Sequence, residues 1–208
     1  IETDLSVGEL SERLRAIVER VLRMSDDRER RKASHLARLS EGDEHVLAFD
    51  TRPITLFVIR HLLDEAGCSA DVMVATGGTR SDRSDLLRRF SPADRTPGAV
   101  IGLCSDSVSE GVNLQRARVV VHLDMPSVVR IAEQRVGRID RLDSPHGTID
   151  AWWPADAEEF ALQADERFIE RYETVDNLIG SNMPLPDNVR SHSPALSARE
   201  AIRDFETQ

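Results

Sequence analysis

HVLAFDTRPITLFVIRHLLDEAG, residues 45–67, changes period in its middle. His45–Asp50 is a short, nearly continuous apolar run, the pattern of a strand buried on both faces of a parallel sheet. Pro53 then sits where a first helical residue belongs, because its missing N–H is one that a helix start leaves unpaired anyway. Ile54, Phe57, Val58 and Leu62 recur at helical spacing, and Gly67 is a C-terminal stop. One strand feeding directly into one helix is half of a βαβ unit.

The same alternation continues downstream. Strands are expected at Asp71–Ala75, Ala99–Leu103, Arg118–Leu123 and Gly147–Trp152. Helices are expected from Ser81, as cap, to Phe90, over Ser127–Asp140, and over a long stretch from about 156 to 179 that carries Phe160, Phe168 and Tyr172. Thr76–Thr79 and Ser91–Gly98 are loops. Strands alternating with helices predict an α/β fold with a parallel sheet covered on both faces, whose ligands gather at the carboxyl ends of the strands.

Upstream, Leu10, Leu14, Ile17, Val18, Val21 and Leu22 form one apolar helical stripe, with Ser6 and Glu9 spaced as a capping box. A charged second helix runs from Asp26 to Leu39 and stops near Gly42. The expected organisation is a helical lead-in (1–42) packed against the domain rather than in its core, an α/β lobe (43–155), a helix packing on the lobe (156–183) and a mobile tail (184–208). No internal repeat is present. The chain opens Ile-Glu-Thr-Asp without Met, a basic start or an apolar signal region, and is expected to be a piece of a longer protein.

With 208 residues, 31% charged and 40% hydrophobic, the composition is that of an ordinary globular domain. No apolar run approaches bilayer-spanning length, so no membrane partner is expected. Two cysteines, Cys68 and Cys104, form no Cys-x-x-Cys pair, and the six His have no ligand spacing. No metal site of this chain's own is expected, and a cytoplasmic setting is the default. The net charge of −10 argues against a general electrostatic grip on nucleic acid, so any such contact must be local. Lys32 is the only lysine, so an isolated Arg carries little weight here.

Two segments could carry chemistry. In Ala132-Glu-Gln-Arg-Val-Gly-Arg-Ile-Asp-Arg141, a continuous helix would place Gln134, Arg138 and Arg141 on one face, at i, i+4 and i+7. Two guanidinium groups there suit a polyphosphate, whose oxygens each can grip through paired hydrogen bonds. Gly137 permits close backbone approach. The bland alternative is a solvated face with Arg135, Arg138 and Arg141 paired to Glu133, Asp140 and Asp143, and spacing alone favours it. The second segment, Cys104–Gln115, directly follows a strand. It is small and polar, and could present amides and hydroxyls to phosphate; an ordinary strand-to-helix connection is the commoner meaning.

Together these segments resemble motifs V and VI of superfamily 2 helicases, most closely the Swi/Snf-type ATPases and, among them, the bacterial RNA-polymerase-recycling ATPases. Ser109–Gln115 is similar to motif V, Glu133–Arg141 to motif VI, Val119–Pro126 to the strand and proline between them, and Val46–Arg52 stands where motif IV belongs. Two departures are Asp143–His146 in place of the usual Gly-Gln and Asp50-Thr51-Arg52 in place of Ser-Gln. The resemblance covers roughly residues 40–180 and implies a RecA-like lobe. It makes Arg138 and Arg141 arginine fingers on the γ-phosphate of ATP, with Gln134 ordering the phosphate or the attacking water. Glu110 and Gly111 would lie near the nucleotide, and Ser105, Ser107, Thr51 and Arg52 would face nucleic acid. ATP and Mg²⁺ would be held mainly by an N-terminal RecA-like lobe of the same polypeptide, since no P-loop occurs here and Leu63-Asp-Glu-Ala66, a superficial match to a magnesium-binding box, ends an amphipathic helix. The implied partners are that lobe, double-stranded DNA, and a protein complex such as RNA polymerase. The competing readings are a degenerate lobe serving only as an interaction module, and an RNA helicase lobe.

Overall fold

The computed structural model describes residues 7–23, 25–77, 80–108, 113–126, 129–141, 144–154 and 171–172. Five strands, β1 (His45–Phe49), β2 (Asp71–Ala75), β3 (Val100–Cys104), β4 (Val119–His122) and β5 (Asp150–Trp152), form one sheet in the order β2-β3-β1-β4-β5. Every pairing is parallel. The register sets Phe49 beside both Cys104 and His122, and Ala75 beside Cys104, so these strands end level and their following loops leave from one edge.

Side-chain alternation divides the core into two layers. Val46 and Ala48 of β1, Ile101 and Leu103 of β3, and Val119 and Val121 of β4 face one cluster. Leu47, Phe49, Val100, Cys104 and Val120 face the other. The first layer is covered by α2 (Asp27–Leu39) and α3 (Pro53–Glu65), the second by Leu86 of α4 (Arg80–Arg89), Phe90 and the segment Leu114–Ala117. Gly102 is required where Phe90 crosses β3: a Cβ there would stand 2.7 Å from Leu47 and 2.9 Å from the Phe90 ring.

Three helical expectations change. Helix α2 does more than lie on the domain, because Ala33 and Leu36 are part of the buried core. The stripe of α1 (Val7–Leu22) is open instead of packed: Leu10, Leu14, Ile17 and Val18 are all about half exposed. In α3 the buried row is Leu56, Ile59, Leu62 and Leu63, while Ile54, Phe57 and Val58 are exposed. Arg60, His61, Asp64 and Glu65 share the outer side of that helix with the three exposed apolar residues, opposite the row that packs. Pro53 does open α3, and Gly67, at φ +65°, follows its end. The Ser6 cap, the long helix of 156–179 apart from residues 171–172, and the tail from 184 lie outside the described residues.

Candidate functional site

The loops leaving the carboxyl ends of β1, β3 and β4 are tied together by one guanidinium. Arg135, in the last turn of α5 (Val129–Val136), has no solvent exposure. Its Nε and Nη2 donate to the two carboxylate oxygens of Asp106 at 2.7 and 3.1 Å, and its Nη1 donates to Asp124 Oδ1 at 3.0 Å. Nη1 also lies 3.3 Å from His122 Nδ1, and the guanidinium carbon is 5.7 Å from the centroid of the Phe49 ring. Asp106 belongs to a single 3-10 turn, Asp106–Val108, that follows β3; Asp124 follows β4. The loop after β1 joins them, because Thr51 donates its backbone N–H to Asp124 at 2.9 Å and its hydroxyl to Asp106 at 3.3 Å.

This arrangement sets the local charge states. Burial pushes the Asp124 carboxyl up, but the Arg135 guanidinium and the two Thr51 interactions outweigh it and hold the group below its ordinary range. Asp50, buried and accepting from the Arg52 N–H at 2.7 Å, is raised by burial. His122 is pushed down to about 3 by burial and then by Arg135, against the pull of Asp124. Its ring stacks on Trp153 with centroids 4.0 Å apart. His122 is therefore neutral in the fold, with Nδ1 free to accept. Below the ordinary His value of 6.5, the unfolded chain binds a proton that the folded chain refuses, so stability falls as pH drops from there toward about 3. Urea unfolding of the chain at descending pH is expected to show this loss, and His122→Phe, which keeps a ring against Trp153, should make the profile flatter. An unchanged slope would remove His122 as its source.

The motif arginines stand differently from the expectation. Helix α5 ends at Val136 and not at Asp140; Gly137 N–H and Asp140 N–H close the chain into a turn onto Glu133 and Val136 carbonyls. The physical reason is local: a Cβ at Gly137 would stand 2.9 Å from the Glu133 carbonyl, so this tight turn needs glycine. Arg138 and Arg141 thus lie beyond the helix, and the common face at i+4 and i+7 is not how they are arranged. Arg141 instead donates to Asn113 at 2.7 Å and to the Gly137 carbonyl at 3.4 Å, and the Arg138 carbonyl accepts from Leu114 N–H at 3.4 Å. The 133–141 segment is therefore docked on the end of the 109–115 segment. The Nε of Arg138 is buried with no hydrogen-bond partner among the described residues. Gln134 is half-buried on α5.

Arg135 is the main residue that sequence reasoning misplaced. The pairing of Arg135 with Glu133, Asp140 or Asp143 on a solvated face is overturned by its burial between Asp106 and Asp124. A signal existed: Ala132, Arg135 and Ile139 are spaced i, i+3, i+7, and all three are fully buried. The aspartates were detectable too, each standing two residues beyond a strand end. Ser105 is buried with its Oγ 2.7 Å from the Ser107 Oγ, while Ser107, Thr51 and Arg52 are exposed at the same edge. Glu110 and Gly111 lie outside the described residues. Asp64 and Glu65 are exposed at the end of α3, as the bland reading of Leu63–Ala66 has it. Cys104 is buried, its thiol pushed up to about 12, which leaves it no nucleophilic role. Trp152 is exposed against His35, and Trp153 is half-buried on His122.

A parallel sheet whose strand ends gather an arginine-bearing turn, a polar loop and a strand–loop of the first βα unit defines a RecA-like helicase lobe. Residues 31–143, more than half of the chain, match the helicase conserved C-terminal domain, and the chain belongs to that family. It is similar to the RNA polymerase-associated protein RapA of Photobacterium profundum, 32% identical over 100 residues, which are 48% of this chain and 10% of that protein. The RapA of Erwinia tasmaniensis is 31% identical over 107 residues, 51% of this chain and 11% of that protein. The matched stretch thus spans about a tenth of these relatives' length. Among solved structures, T4 UvsW superposes with a TM-score of 0.55 at 17% identity, covering 84% of this chain and 36% of that one. Mss116p DEAD-box helicase domain 2, bound to an RNA duplex, does so with a TM-score of 0.55 at 16% identity, covering 86% and 69%. These two show the fold, and the family match makes the chain a helicase C-terminal lobe.

Proposed function

We propose that the chain is the second RecA-like lobe of an ATP-driven translocase on double-stranded DNA, presenting Arg138 and Arg141 to the γ-phosphate of an ATP held by an N-terminal lobe. The observation that carries this reading is Arg138, half-buried beside the 113–114 backbone with a buried Nε that no group among the described residues satisfies. An unpartnered buried guanidinium donor is costly, and a phosphate oxygen from outside the chain is a fitting partner. Arg141 faces the neutral Asn113 side chain, a partner that a phosphate can displace. We assign Mg²⁺ to the other lobe, together with the groups that cradle the β- and γ-phosphates. Within this lobe Gln134 orders the phosphate or the attacking water, Glu110 and Gly111 lie against the nucleotide, and the exposed Ser107, Thr51 and Arg52, with Ser105 behind Ser107, line the path of the nucleic-acid backbone. The choice of a protein complex such as RNA polymerase as cargo is supported by the RNA polymerase-associated RapA relatives, and that of duplex DNA by the Swi/Snf-like wording of residues 109–115.

Phosphate release by the two-lobe protein, with duplex DNA, duplex RNA or neither, tests this. DNA is expected to stimulate turnover most. The chain by itself should release no phosphate and, at net charge −10, bind duplex DNA weakly with steep loss in salt. Robust turnover by the chain alone would end the half-site reading, and stimulation by RNA alone would move the lobe among RNA helicases.

A further inference from the structure

Thr51 touches both carboxylates that hold Arg135, so four groups close a ring: Thr51 to Asp124, Asp124 to Arg135, Arg135 to Asp106 and Asp106 back to Thr51. Each comes from a different place in the chain: the loops after β1, β3 and β4, and the last turn of α5. One side of the ring is the exposed Thr51–Arg52 backbone; the other is a guanidinium with no exposure. Three residues past that guanidinium, and in the same continuous backbone, comes Arg138.

We propose that Arg135 is a positioning residue through which contact at Thr51 and Arg52 is transmitted to Arg138 and Arg141; this rests on the reading of the chain as an ATPase lobe. The guanidinium is a planar fork with fixed donor directions. It meets Asp106 through one edge and Asp124 through its remaining nitrogen, so it cannot follow one carboxylate without losing the other. Thr51 is what keeps the two carboxylates at their present separation. A nucleic-acid backbone that draws the Thr51 N–H or hydroxyl outward releases an oxygen on each aspartate at once. The fork must then reorient, and the end of α5 with it. Arg138 is tied through its carbonyl to Leu114 and Arg141 to Asn113 and Gly137, while Ile139 between them packs in the same core layer as Phe49 and Val136 of the helix end. Their placement follows the helix end that Arg135 fixes. A rigid part with two arrangements, biased from one side and read out at the other, is what energetic coupling between sites requires.

Asp124→Asn separates this coupling from plain support. The amide oxygen still accepts from Arg135, but the amide nitrogen that replaces Oδ2 cannot accept the Thr51 N–H, so the ring opens at one edge. In the two-lobe protein, turnover without DNA and KM for ATP are expected to stay close to those of the parent, while the factor by which duplex DNA stimulates turnover falls about tenfold, within the usual range of coupling between sites. Stimulation equal to the parent's overturns the proposal, and so does a proportional fall of the rates with and without DNA, the mark of a merely structural bond. A second measurement does not depend on turnover or on that variant folding well. In the chain itself, the Arg135 Nε–H resonance should shift on addition of duplex DNA, and Thr51→Val should abolish the shift. Absence of turnover in the parent with this shift present would sink the ATPase reading while leaving the Thr51–Arg135 link standing; absence of the shift in the parent sinks the link itself.

Discussion

Replacing Arg138 by Ala in the two-lobe protein is expected to lower kcat for ATP by on the order of 10²–10³-fold, while KM for ATP changes far less. The reason lies in where charge develops. As the γ-phosphoryl group transfers, negative charge spreads over its equatorial oxygens, and a guanidinium aimed at them is worth most at that moment. Loss of such a contact removes about 3–5 kcal/mol of barrier lowering. Arg138 is pre-organised for this, since its buried Nε has no partner among the described residues to give up. Arg141→Ala should be damaging but milder, because Arg141 must first leave Asn113. Lysine should rescue poorly at either place, as an ammonium lacks the planar fork. Arg130, exposed on the first turn of α5, is the proper control and should tolerate Ala. Single-turnover and steady-state kinetics on these variants check the expectation. If Arg138 and Arg141 can both be removed without slowing turnover, the segment is a charged surface and nothing more.

The parts of the fold legible in the sequence were those with one-dimensional signals. β1 and β2 were visible as short apolar runs between turn residues, and both appear within a residue of their expected ends. The parallel sheet followed from the order of elements. What failed depended on three-dimensional competition. The face that α3 buries is marked by Arg60, His61, Asp64 and Glu65 on the opposite side, but Ile54, Phe57 and Val58 lie on that outer side too and obscured it. The end of α5 was hidden because Gly137 was taken as a point of close approach inside a helix, when it makes a turn that ends one. Arg135 was lost against a background in which nearly every cation is Arg. Its burial comes from Asp106 and Asp124, which lie 29 and 11 residues away in sequence and meet it only when β3 and β4 flank β1. The motif pieces were therefore recognisable as words, but the grammar joining them was in the sheet. Arg141 on Asn113 and Leu114 on the Arg138 carbonyl are the two bonds that turn separate motifs into one site.

That same burial makes Arg135→Ala strongly destabilising. Arg135 stands between two carboxylates that share Thr51 as a neutral donor, and its removal leaves like charges facing across a partly dry gap. Breaking a buried pair by deleting one partner commonly costs about 3–5 kcal/mol, because the surviving charge is uncompensated. Asp106 and Asp124 each keep 26% of their side-chain surface exposed, so water can relieve part of this, and the loss should fall near the lower end, at about 3 kcal/mol. Much of a domain's net stability is of that size. Urea unfolding of the chain should therefore show a large fall in midpoint for Arg135→Ala and only a small one for Arg138→Ala, whose buried Nε has no partner among the described residues. The cause can be isolated by charge. In the triple variant Arg135→Met, Asp106→Asn, Asp124→Asn no buried charge is left over, and most of the lost stability should return. Acid should also narrow the deficit of Arg135→Ala. Without the guanidinium the Asp124 carboxyl loses the largest influence that lowers it, so the variant gives up less stability than the parent as pH falls. A midpoint for Arg135→Ala equal to that of Arg138→Ala, or a deficit that grows in acid, would mean that Arg135 is held by packing and not by its two aspartates.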